Sequence, residues 1–395
     1  MKILHFIPAT ENSADSTTMY LSTLVGLMQQ KAQVMVISAD GTSLSDNKRQ
    51  AEAFAPQIVH IHTCWEMRSA KMAKWAHSSS IPVVLSPHGT LEPWIVERKY
   101  LHEKLPKLLL YQHETICNAD AIVVTGEMER RSMQQLSWNE RIKSPRPWNE
   151  RLCIVRNAII TNDISDQQMT DEMLRLYRKV LDSNAWMLMT PDDRQAEDIL
   201  LRAGLARQPR QAAITAQERR LLAQLGEESW RRLLIHAYEE DVLPIIRRGA
   251  ALMEQTATNA ETLGNRIAHM PQLSVEDIDR FQPRIPKARG PIESSRLLPR
   301  QMKQRFKELR DSHGHNKEYT FCLMTANLSY ETSHGTLSRR HLAEMYEQLR
   351  YEDFDEDLLA RMLREAELNK FAQDMQLTLS QMFGLTEGYM LTLKS

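Results

Sequence analysis

The segment Ser86-Pro87-His88-Gly89-Thr90-Leu91-Glu92-Pro93-Trp94 gathers residue types that can hold a polar ligand. A neutral imidazole donates from one ring nitrogen and accepts at the other, and a threonine hydroxyl does both. Gly89, between them, permits a tight backbone turn. Upstream, His60-Ile61-His62 runs into Thr63-Cys64-Trp65-Glu66. Trp65 and Trp94 offer aromatic faces that suit sugar stacking or plain packing. Ser16 and Thr17 open a helical pattern, where hydroxyls can meet a polyhydroxylated ligand. Taken as alternating inward and outward, His60 and His62 face opposite sides of a sheet, so no metal shared between them is expected. None is expected at His313, His315 and His334 either, where no acidic or thiol group stands at ligand spacing.

The elements that must position these residues are legible as an alternation. Short apolar runs at 2–7, 34–38, 58–62, 83–86, 121–125 and 152–155 read as strands buried on both faces. Helical patterns at 17–29, 48–54, 68–77, 105–117 and 127–136 separate them. This order predicts a doubly wound parallel sheet, Rossmann-like, with right-handed crossovers. His62 and the His88 segment then follow strands at their carboxyl ends, where open sheets of this kind bind ligands.

The first strand-to-helix loop, residues 8–18, contains no glycine. That argues against a dinucleotide fingerprint and against a phosphate-cradling P-loop. Nicotinamide, flavin and nucleoside-triphosphate hydrolysis chemistry are therefore set aside, and no cofactor is expected.

Five segments in order carry a resemblance. They are MKILHF at 1–6, IVHIH at 58–62, SPHGT at 86–90, ADAIVVT at 119–125 with EMER at 127–130, and RNAII at 156–160. Together they resemble the N-terminal, acceptor-side domain of GT-B glycosyltransferases of the retaining nucleotide-sugar family (group 1, family 4-like). The resemblance covers about 160 residues and stops there. It implies that His88 lies nearest the reacting sugar, that Gly89 keeps backbone close to ligand, and that Asn157 starts the crossing to a second domain. His62, Trp65, Thr90, Trp94, Ser16 and Thr17 join them as expected substrate contacts. Arg98 is placed as a phosphate partner by position alone, with Lys99 and Arg156 beside it. The sequence departs from the family in two places, lacking a Gly-Gly in the first loop and carrying Ala158 where a glycine is expected. The family's donor-binding signatures are not recognisable after residue 165. Glu344 and Glu352 have the family's eight-residue spacing, but they stand on a charged helical face.

The implied reaction moves a sugar from a nucleotide-sugar donor to a saccharide or lipid-linked acceptor, as in surface polysaccharide assembly. The contrasting expectation is a non-catalytic interaction module, or a subunit whose donor site a partner supplies. Net charge of −1 gives no reason to expect nucleic acid as a partner.

Beyond the α/β domain at 1–165, the patterns at 169–182, 192–203, 215–225, 228–237 and 242–253 predict a helical domain over 166–270. Thr215 with Glu218 reads as a capping box. Residues 271–307 carry Pro271, Pro283, Pro286, Pro291 and Pro299 among basic residues from Arg280 to Lys307. They predict an extended tether, with 280–307 as a docking strip for an acidic protein or an anionic membrane surface. Residues 308–395 close the chain as a second helical domain, with helices at 338–349, 355–367 and 369–382. The four cysteines lie far apart, and no leader or membrane-length apolar run is evident. The expectation is a cytoplasmic protein with reduced thiols, or one peripheral to the inner face of the membrane.

Overall fold

The computed structural model describes residues 1–7, 16–135, 148–161, 163–207, 214–256, 274–281, 292 and 298–391. The chain divides into two compact units, Met1–Leu188 with Ile278–Arg284, and Met189–Asp277 with Ile285–Ser395.

The first unit is built on six strands, β1 (Lys2–Ile7), β2 (Gln33–Ser38), β3 (Ile58–His62), β4 (Val83–Ser86), β5 (Ala121–Val124) and β6 (Leu152–Ile154). They form one parallel sheet in the order β2-β1-β3-β4-β5-β6. The connecting helices are α1 (Ser16–Met28), α2 (Leu44–Phe54), α3 (Met67–Ser78), α4 (Pro93–Glu97), α5 (Leu105–Lys107), α6 (His113–Asn118) and α7 (Glu127–Gln134). After β6 come α8 (Ala158–Thr161), α9 (Asp166–Ser183) and α10 (Ala185–Leu188).

Because side chains alternate along a strand, each strand feeds two cores. Leu4, Phe6, Val59, Ile61 and Leu85 meet Ala51 of α2, Met72 and Ala76 of α3, and Met133 of α7. Ile3, Ile58, Val84 and Val123 meet Leu24 and Met28 of α1 and Met173, Tyr177 and Val180 of α9. Strands apolar on both faces are what a fully covered parallel sheet requires. The chain leaves β1 toward β2 on one side and returns to β3 on the other. The strand order therefore reverses between β1 and β3, where crossovers diverge and leave a crevice at the carboxyl ends.

Two expectations are corrected here. The helix expected over 105–117 is preceded by a wider turn at Tyr100–Lys104 and interrupted by another at Leu108–Gln112, with Leu105 N–H reaching Tyr100 O and His113 N–H reaching Leu108 O. Second, the part of the 271–307 tether that is described is not simply extended. Phe281 is buried in the first unit and its N–H donates to Ser183 Oγ at 2.8 Å. Asn327 Nδ2 donates to Ile292 O at 2.6 Å, and a helix begins at Arg300. Apolar residues spaced among the prolines and charges anchor the segment.

Among the described residues the second unit is entirely helical: α11 (Pro191–Gly204), α12 (Ala216–Gln224), α13 (Glu227–Glu239), α14 (Leu243–Thr256), α15 (Arg300–His313), α16 (Lys317–His334), α17 (Arg339–Tyr351), α18 (Glu356–Glu365) and α19 (Asn369–Phe383). Thr215 and Glu218 form the capping box of α12. Thr190 and Asp193 form another at α11, with Pro191 in the first turn. Helices α11 and α14 cross at two glycines. A Cβ on Gly204 would run into Ile245 O, and one on Gly249 into Leu200 O.

Candidate functional site

The parallel register sets His5 of β1 opposite His60 of β3, and His62 opposite Ser86 of β4. His60 and His62 are two residues apart and therefore share a face, with ring centroids 3.9 Å apart. The expectation that they face opposite sides is overturned, and with it the reason for excluding a shared metal. Both point, with His5, toward the layer that holds α1 and α9.

A continuous imidazole chain results. His5 Nδ1 lies 2.8 Å from His62 Nε2, and His62 Nδ1 lies 3.0 Å from His88 Nε2. His60 runs beside it, with Nδ1 2.6 Å from Tyr177 Oη and Nε2 2.7 Å from Ser86 Oγ. His5, His60 and His62 are fully buried, whereas His88 at the outer end is half-buried. Tyr20 of α1 meets the His88 ring edge-on at 5.5 Å. Burial holds the His5 imidazole neutral, lowering its pKa to about 3. Burial likewise lowers His60 and His62 well below the ordinary value, helped by the neighbouring imidazoles.

Ligand atoms of His5, His60 and His62 lie within 4.8 Å of one another, close enough to gather on one metal ion. Their hydrogen bonds compete with that use. Of the six ring nitrogens, all but His5 Nε2 have a bonding partner among the described residues. The arrangement is a hydrogen-bonded chain as it stands, and metal binding would have to break it.

The loops that carry the outer residues hold unusual backbone. Thr63, Trp65 and His88 have φ of 153°, 68° and 50°, and Gly89 has 77°. Left-handed conformations in non-glycine residues cost free energy and persist only where the surroundings impose them. Here the surroundings are specific. Glu129 of α7 is buried and accepts from Gly89 N at 3.0 Å, and from Thr125 N and Oγ1 at 2.7 and 2.9 Å. Trp65 donates from its backbone N to Gln112 Oε1 at 2.6 Å and from Nε1 to Thr90 O at 2.8 Å, while Tyr111 Oη donates to Trp65 O. The wide turn at Leu108–Gln112 thus delivers two side chains onto the loop after β3.

The sequence-predicted residues divide. His62, His88, Gly89, Thr90 and Trp65 come together in these two loops. Trp65 is buried as a strut, so its indole is committed to packing and to Thr90 O. Trp94 stands out, 66% exposed, and Arg98 is exposed. Asn157 is buried and its Oδ1 accepts from Ile159 N, a local bond at the start of α8. Arg156 is bound to Glu172 at 2.8 Å. The first loop and the side chains of Ser16 and Thr17 lie outside the described residues. His313 pairs with Glu365, and His334 stacks on Tyr330. Sequence reasoning missed His5, Tyr20 and Tyr177, named Ser86 without a role, and did not give Glu129 its role. His5 was within reach, since it stands in the apolar run at 2–7 as the polar residue of a strand expected to be buried on both faces.

Residues 31–143 match the family model of a glycosyl transferase 4-like domain. No curated protein and no solved structure matches the chain. The matched segment runs from just before β2 to beyond α7, so it contains His60, His62, His88 and Glu129. His5, Tyr20 and Tyr177 come from outside it. No helix among the described residues is long and apolar enough to cross a membrane.

Proposed function

We propose that the protein is a glycosyltransferase that moves a sugar from a nucleotide-sugar donor to a hydroxyl of a saccharide or lipid-linked acceptor. The observation that carries this reading is the His88-Gly89-Thr90 loop, with His88 and Gly89 in left-handed backbone, at the carboxyl end of β4 within the segment that matches the glycosyl transferase 4-like model. Sugar transfer needs an acceptor oxygen held in line and donors aimed at developing charge. His88 supplies a polar edge at the mouth of the crevice, and Glu129 keeps the Gly89 backbone from moving away. Trp94, Leu101, Leu109 and Leu110 are exposed by 66, 69, 75 and 73% in the crossover that follows this loop. An acceptor with an apolar portion fits that surface.

The second reading is a non-catalytic module, or a subunit completed by a partner. It is favoured by the second unit, whose described residues form no strand and therefore no second sheet domain. Calorimetry against UDP-, GDP- and ADP-sugars separates the two, run on the wild type and on His88→Ala. Micromolar binding of one donor, weakened about tenfold or more by the substitution, is expected for the enzyme; a lost hydrogen bond is worth about that much. No binding by a folded sample sinks the transferase reading for the isolated chain.

A further inference from the structure

The imidazole chain has a polarity, and its buried end sets it. At neutral pH His5, His60 and His62 are neutral, because burial holds their pKa values low. A neutral imidazole has one N–H and one bare nitrogen. With two nitrogen-to-nitrogen bonds in series, only two arrangements exist. In the inward arrangement, His88 Nε2–H donates to His62 Nδ1, and His62 Nε2–H donates to His5 Nδ1. His5 must then carry its proton on Nε2, which is buried and has no hydrogen-bond partner among the described residues. In the outward arrangement His5 Nδ1–H donates to His62 Nε2, and His62 Nδ1–H donates to His88 Nε2. The group left over is then a lone pair on His5 Nε2. A buried N–H with no acceptor is the rarer and costlier orphan, so the outward arrangement wins.

We propose that His5, acting through His62, fixes His88 in the tautomer with its proton on Nδ1, which makes His88 Nδ1 a hydrogen-bond donor. His5 and His62 are positioning residues for that donor. Nε2 of His88 is occupied inward, so this histidine is not free to take a proton there as a general base. Where His88 meets the sugar, as in the function proposed above, the atom it meets is an oxygen lone pair of a hydroxyl or a phosphate. The ligand part rests on that reading; the polarity does not.

The test reads tautomers directly. Protein labelled with 15N at histidine gives, for each imidazole, two nitrogen resonances that distinguish Nδ1–H from Nε2–H. Single substitutions of His5, His62 and His88 assign the signals. The expected result at neutral pH is Nδ1–H at all three. Nε2–H at His62 and His88 in the wild type overturns the proposal, whatever the sugar-binding experiment gives. Two variants then test the cause. His5→Leu leaves the buried end without an acceptor, so His62 and His88 keep Nδ1–H. His5→Asp supplies an acceptor, so both shift to Nε2–H. A folded His5→Asp protein that keeps Nδ1–H at His62 also overturns it. Should that variant not fold, the wild-type spectrum decides alone.

Discussion

Glu129 receives three donors with one carboxylate, two of them from the backbone of different loops. Glutamine has the same shape but turns one acceptor into a donor. Glu129→Gln is therefore expected to lose about 1–3 kcal/mol, the cost of stranding a buried partner, measured as a lower denaturation midpoint with unchanged slope. The loop bearing His88 should exchange its Gly89 amide faster in that variant. How far the site was legible at this scale depended on distance in sequence. His88, Gly89 and Thr90 announced themselves by lying together after an apolar run. His5 sits inside the apolar β1 and reads as part of a strand, while Tyr177 lies on a helix beyond the last strand and reads as one member of its buried stripe. Glu129 entered only as part of the EMER segment at 127–130, because its partners, two amides and a hydroxyl, carry no signal in the sequence.

At the scale of elements, periodicity located the sheet well. The apolar runs at 2–7, 58–62 and 83–86 coincide with β1, β3 and β4. Helix α16 was not seen, and the reason is physical. Phe321, Cys322, Leu323, Met324, Thr325, Ala326, Asn327 and Leu328 are all buried in succession, so this helix has no polar face and no period of 3.6 to detect. Helix α15 was hidden in the basic, proline-bearing stretch. The α11–α14 crossing was also unreadable, since two glycines far apart in sequence do not declare that they touch. Their contact is testable by Gly249→Ala. Helix propensity alone would make alanine better by about 1 kcal/mol. The collision with Leu200 O is against backbone, which cannot rotate aside. Overpacking of this kind costs about 1–3 kcal/mol or more, and the variant is expected to melt earlier in the second unit.

For the whole molecule, pH should act on the two units in opposite directions. Unfolded His5 takes up a proton below about 6.5, which the folded protein refuses until about 3. Stability of the first unit therefore falls as pH drops through that window. In the second unit His236 is buried, which by itself disfavours its charge. Its bonds to Glu197 and Glu240, and their negative charges, nevertheless raise its pKa from 6.5 to about 9. Nδ1 lies 2.8 Å from Glu197, and Arg339 also reaches that carboxylate at 3.4 Å. The folded form keeps a proton that the unfolded form releases, so this contribution is complete below 6.5 and disappears as pH rises through 9. Scanning calorimetry at pH 5, 7 and 9.5 should show the first unit weakened at the acid end and the second at the alkaline end. A single transition that moves the same way at both ends would contradict it.

The division of the chain also bears on how the protein is made. The first unit is closed by Ile278–Arg284, where Phe281 enters its core and Asp279 pairs with Lys179 at 2.8 Å. That strap leaves the ribosome only after α11 to α14 of the other unit have been synthesised. A nascent chain therefore exposes the outer side of α9 while four helices emerge behind it. The second unit, begun at Met189, waits in turn for its remaining helices from Arg300 onward. Neither unit can finish as an N-terminal domain that folds and is done with, and translation speed across 189–284 becomes part of the folding problem.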